Sequence, residues 1–143
     1  MVQKTAPNMV KMEESELTLA NSDEDIRGYK VVDSAGEDIG DVKDLLIDED
    51  EAKVRFLQVG SGGFLGIGDE TFLIPVDAIT HIDDNAVRVN LTRDRVRQGP
   101  TYDPTMVRDD EYWNTAYSHY GFLPFWAPGY RYPTFPRYPR HRR

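Results

Sequence analysis

DIRGYKVVDSAGEDIGDVKDLLIDEDEAKVRFLQVGSGGFLGIGDETFLIPVDAITHIDDNAVRVN, residues 25–90, is the stretch that decides the fold. Short runs rich in valine, isoleucine and phenylalanine alternate with glycine, aspartate and asparagine, and none holds helical spacing for the length a helix needs. Strands are expected at 29–33, 39–48, 53–59, 71–76, 80–83 and 86–91. The expected fold is all-β, a small closed β-unit.

The turns between these runs have identifiable chemistry. SAGED closes the first run, with Gly36 supplying the positive φ of a tight turn. EDEA joins the second run to the third, so 39–48 and 53–59 are expected as a hairpin. Ile39, Val42, Leu45 and Ile47 do not alternate strictly, which places a bulge or bend near Gly40 or Asp44, as closing a small barrel requires. Pro75 ends the TFLIPV run or sits at an edge, since proline has no N–H for the ladder. Asp84 and Asn85 turn the last hairpin, where Val87, Val89 and Leu91 point one way and Arg88 and Asn90 the other.

Outward from this unit, Thr92 is an N-cap for a short helix over RDRVRQ, stopped by Gly99 and Pro100. PTYDP, residues 100–104, is an extended exit. The composition then changes: residues 105–143 are rich in aromatics, proline and arginine. Trp113, Tyr117 and Tyr120, spaced i, i+4, i+7, predict an amphipathic helix over 109–120 that Gly121 ends. FLPFWAPGYRYPTFPRYPRHRR then mixes aromatics and prolines too densely for helix or central strand and predicts an extended or polyproline-like arm. At the other end, residues 1–24 are expected as a flexible acidic arm, with Leu17–Ala20 as a short strand or apolar clip onto the barrel.

Charge excludes some functions. The chain's net charge of −8 is concentrated before residue 106, while the tail is basic. An acidic body repels phosphate backbones, so DNA is not an expected partner. RNA or an anionic membrane surface would have to be met by the arginine-rich terminus alone. There is no cysteine, hence no thiolate metal site or Cys nucleophile. Without an apolar signal core or a membrane-length run, a cytoplasmic protein is expected.

Catalytic and ligand motifs fail on spacing. GSGGFLGIG, residues 60–68, lacks both the lysine of a P-loop and the G-x-G-x-x-G pattern. DEDE at 48–51 begins like a calcium loop, but positions six and twelve hold Lys53 and Val59 instead of glycine and glutamate. His81, His119 and His141 are scattered, with His81 expected as a half-buried barrel residue, and neither Ser34 nor Ser61 sits in a nucleophile motif. No catalytic residue, metal site or cofactor is expected, and the chain reads as non-enzymatic.

The sequences DIRGYKVVDSAGEDIGDVKDLLID, RFLQVGSGGFLGIG and FLIPVDAIT resemble the PRC-barrel pattern over about residues 25–92. The tail is similar to those on stand-alone bacterial members of that family. The resemblance implies a module that docks on other proteins or RNA. Its known settings are the cytoplasmic domain of the photosynthetic reaction-centre H subunit, the second domain of a ribosome maturation factor, and stand-alone proteins linked to stress responses or assembly. This sequence has no membrane helix ahead of the barrel and an acidic barrel, which leaves the third setting as the expectation. The first, a peripheral accessory of a reaction centre or other membrane complex, is the first alternative, and RNA processing the second.

A barrel of about sixty residues is marginal by itself and needs cover. The tail either covers its own barrel or meets a protein partner or dimer mate. Phe64, Leu65 and Ile67 in the glycine-rich loop and Trp113, Tyr117, Tyr120, Phe122, Phe125, Trp126, Tyr130 and Arg131 in the tail are the candidate contact residues.

Overall fold

The computed structural model describes residues 9–11, 25–60, 70–133 and 135–136. Seven strands form one curled sheet: β1 (Met9–Lys11), β2 (Lys30–Val32), β3 (Asp38–Asp48), β4 (Lys53–Gly60), β5 (Phe72–Pro75), β6 (Ile79–Ile82) and β7 (Ala86–Val89). The spatial order is β5-β4-β3-β2-β7-β6, with β1 also paired to β3. The expected β3–β4 and β6–β7 hairpins are both antiparallel. β2 and β7 pair in parallel, Val31 opposite Val87, and this contact joins the first half of the sheet to the second.

The bend expected near Asp44 is a bulge one residue earlier. Val42 pairs with Val59 and Asp44 with Gln58, leaving Lys43 as the extra residue. A second bulge lies in β4: Leu46 pairs with Phe56 and Ile47 with Val54, so Arg55 has no opposite number. Val54 therefore faces the inside of the curl, whereas Arg55 and Phe56 both lie toward its outside.

Both faces of this sheet are covered. Inside the curl, Val31, Ile39, Val42, Leu45, Ile47, Val54, Leu57, Val59, Ile74, Val87 and Val89 form an aliphatic core. Outside it, Leu46, Phe56 and Leu73 pack with Met9, Trp113, Ala116 and Tyr117. That second layer explains the continuous burial of Val54–Gly60: a strand covered on both faces loses its polar alternation.

The cover is a helical C-terminal extension. In α1 (Arg93–Arg97), Thr92 accepts from Arg95 N at 3.2 Å, the expected cap. Residues 100–102 then run along the outer edge of β5, Leu73 N donating to Pro100 O and Tyr102 N to Thr71 O. Asp109 caps α2 (Asp110–Tyr120), which ends at Gly121 with φ 81°, a left-handed conformation that glycine adopts without a Cβ penalty. The two helices are locked reciprocally: Arg95 Nη2 donates to His119 O, and the His119 ring meets Arg95 O at 2.8 Å.

The flanks add pairings that the sequence reading did not contain. The ordered clip of the leading arm is Met9–Lys11 on β3, while Leu17–Ala20 lies outside the described residues. Among the described residues beyond Gly121, the chain is not a continuous polyproline-like arm. Ala127 N donates to Pro124 O and Tyr130 N to Ala127 O, which folds it into successive turns.

Candidate functional site

Phe122 N donates to Tyr117 O, so the chain leaves α2 folded back over the helix, and residues 122–133 then cross the outer face of β4 as a strap. The strap is pinned where β4 bulges. The Tyr132 hydroxyl donates to Val54 O at 3.1 Å, and Lys53 Nζ stands 5.5 Å from the Tyr132 ring centre. Between them lies Arg55, almost completely buried. Its Nη2 donates to Asp48 at 3.1 Å and Glu51 at 2.6 Å, and its guanidinium carbon lies 4.0 Å from the Phe125 ring centre and 5.3 Å from that of Tyr132. A planar cation can pair with carboxylates in its plane and stack aromatics on its faces, which lysine cannot do.

The floor of this contact is polar and incompletely paired. Arg55 Nε, Asp77 Oδ1 and the hydroxyls of Tyr117 and Tyr130 are buried without hydrogen-bond partners. Burial pushes the Asp77 carboxyl above the usual carboxylate range. Proximity to Tyr130 offsets part of that rise, although the Tyr130 hydroxyl makes no well-formed hydrogen bond. Burial first, and the Asp77 charge second, push the phenols of Tyr117 and Tyr130 well above their ordinary values, so both stay neutral.

The predicted contact residues divide by depth. Trp113 and Tyr117 are fully buried: the Trp113 ring packs 5.1 Å from Phe56 and its Nε1 donates to Val107 O. Tyr120 is buried and donates to Leu73 O. These three cover the barrel. Phe122, Phe125, Trp126 and Tyr130 are half-buried, and Arg131 is exposed. Phe125 and Trp126 meet edge-on at 5.1 Å, and each packs edge-on against Tyr117. Phe64, Leu65 and Ile67 lie outside the described residues.

Sequence reasoning missed Leu123, Arg55, Asp77 and Met9. Leu123, 54% exposed, is the large apolar side chain that the described surface leaves in solvent. Arg55 carried a signal, as the single cation inside VRFLQV. Asp77 and Met9 carried none, because their roles depend on what packs above them.

A cleft of about 320 Å³ lined by Ser34, Asn90, Leu91, Thr92, Arg95 and Tyr120 offers hydroxyls and one cation but no acid–base pair. Among the described residues, no cluster of three His, Asp or Glu could hold a metal ion, and no helix is long and apolar enough to cross a membrane.

The sheet and its turns agree with comparison to known families. The family model of the PRC-barrel domain matches residues 20–96, and the chain belongs to that family. PRC-barrel domains are in general non-catalytic modules that mediate protein interactions. No curated protein matches the chain.

Proposed function

We propose that this protein is a non-catalytic docking module that uses the outer surface of its aromatic strap to bind another protein chain. The observation that carries this reading is Leu123, exposed in a patch with half-buried Phe122, Phe125 and Trp126. Exposed apolar surface marks an interaction site, the strap's tryptophan, tyrosine and exposed Arg131 are residue types enriched in binding hot spots, and the anchoring of the strap through Arg55 pre-organises it. Membership of a family of interaction modules supports the same reading. The carboxylates and hydroxyls of the site serve structure: they neutralise Arg55 and fix the strap.

The test uses the full chain, because ending it before α2 would remove Trp113 and Tyr117 from the core. Leu123→Asp and Arg131→Glu variants, shown folded by near-ultraviolet circular dichroism, are compared with the wild type by quantitative co-purification and by light scattering. Loss of the same bound protein, or of the same dimer, in Leu123→Asp supports the reading. An identical set of bound proteins and an identical mass for all three chains overturns it.

A further inference from the structure

The turn after β2 and the start of α1 are tied to each other. Ser34 N donates to Leu91 O at 2.9 Å, which joins the turn to the chain leaving β7. The buried Asp33 carboxylate accepts from Ala35 N, Glu37 N and, at 3.3 Å, Arg93 N, so both segments hold one group. At this junction lies the cleft of about 320 Å³, with Ser34, Asn90, Thr92, Arg95 and Tyr120 in its wall.

Arg95 is the charged residue of that wall, and its position is fixed. Its Nη2 donates to His119 O at 3.0 Å, its carbonyl meets the His119 ring at 2.8 Å, and its amide is capped by Thr92. Burial raises the Tyr120 phenol, and the Arg95 charge offsets part of that rise, as a neighbouring cation does. Among the described residues Arg95 meets no carboxylate, unlike its neighbours on α1: Arg93 pairs with Glu37 and Arg97 with Asp94. The carboxylates of these two segments, Asp33, Glu37 and Asp94, are all engaged, and four arginines stand against them, Arg88, Arg93, Arg95 and Arg97. In a chain of net charge −8 this is a local positive excess.

The other polar groups of the wall complement the cation. Thr92 Oγ1 accepts from Arg95 N and keeps its own proton to donate; Ser34 offers a second hydroxyl, and Asn90 an amide with two N–H groups. No acid is among the lining residues. A fixed guanidinium with neutral donors around it is the set that recognises a phosphate or carboxylate group, and its fixing through His119 lowers the ordering cost of binding.

We propose that the cleft between the Ser34 turn and α1 binds a small organic oxyanion, a phosphate ester or a carboxylate, with its charged group on Arg95, Ser34, Asn90 and Thr92. The volume is at the lower end of small-molecule pockets, which sets a ligand of a few carbons beside the charged group. The site uses no residue of the strap, so it stands whether or not Leu123 marks a docking face.

The test follows backbone amide NMR shifts of the full chain as inorganic phosphate, phenyl phosphate or succinate is added, with potassium chloride holding the ionic strength constant. Saturable shifts are expected at Ser34, Asn90 and Arg95. Saturation by the two phosphates alone identifies a phosphate ligand, and by succinate alone a carboxylate. Arg95→Gln removes the cation, while Asn90→Asp places a carboxylate at an exposed position of the wall and leaves the Arg95–His119 lock intact. Each is expected to weaken binding about tenfold or more, the worth of a hydrogen bond to a charged group, and Arg108→Gln, an exposed change of the same charge, to leave it unaltered. Absence of saturation with all three compounds, the same response to potassium chloride alone, or equal affinity in Asn90→Asp and the wild type overturns the proposal.

Discussion

The two faces of the sheet are built on different principles. The inner face is mainly aliphatic, joined by Phe72, Tyr120 and Phe135, and comes largely from residues 26–96. The outer face is aromatic, is assembled from Met9, three strands, α2 and the strap, and encloses Arg55 among unpaired polar atoms. An aliphatic core of this kind needs only volume and pattern to fill it, whereas an aromatic layer over a buried cation depends on the placement of individual groups. The inner face accordingly lies almost wholly within residues 20–96, which the family model matches, whereas most of the outer layer's cover lies outside them.

The sharpest way to break that contrast is to remove the cover. Trp113→Ala is expected to cost about 3–5 kcal/mol, the usual range for a buried aromatic, measured by urea unfolding. Ending the chain at Pro104 removes Trp113, Ala116 and Tyr117 together and should abolish cooperative unfolding. A Trp113→Ala midpoint equal to the wild type would show that the outer layer is not a second core.

A comparable loss, about 3–5 kcal/mol, is expected for Arg55→Ala, which leaves Asp48 buried without its counter-ion. The paired replacement Asp48→Asn with Arg55→Met should cost less, because it removes both charges and keeps the volume under Phe125. If the pair costs as much as Arg55→Ala, stacking on the strap outweighs charge.

Asp77 sharpens the contrast through pH. Its carboxyl is raised in the fold above the ordinary value of 3.8, so the folded state favours the protonated form. That contribution is fully present below the unfolded value and is lost as pH rises through the folded one. Asp77→Asn should therefore raise the melting temperature at pH 7, with the gain shrinking toward pH 3. A pH-independent difference between the two chains would remove the titration argument. The smallest effect is expected at the helix end: Gly121→Ala, with nothing within 4 Å of the added Cβ but φ at 81°, should cost about 1 kcal/mol.

Much of the inner face was legible in the chain. Strand runs, the two hairpins, the Thr92 cap and the helix ended by Gly121 all follow from local pattern, because turn geometry and capping depend on neighbours in sequence. The broken alternation in 39–48 correctly indicated a bulge. The unbroken burial of Val54–Val59 had a second cause, the layer above it, which no window of sequence contains. Trp113, Tyr117 and Tyr120 show the same limit: a helical stripe says that one face is apolar, and not whose surface it meets.

By itself, the sequence determined the strand and helix content, the principal turns and the membership of the PRC-barrel family. The tertiary structure alone decided that β2 meets β7 in parallel, that Met9–Lys11 pairs with β3, and that the strap closes over Arg55. The physical reason is separation along the chain. Local elements are selected by backbone chemistry within a few residues, but the pairing of remote segments is set by which surfaces remain apolar, or charged and unpaired, after those elements have formed.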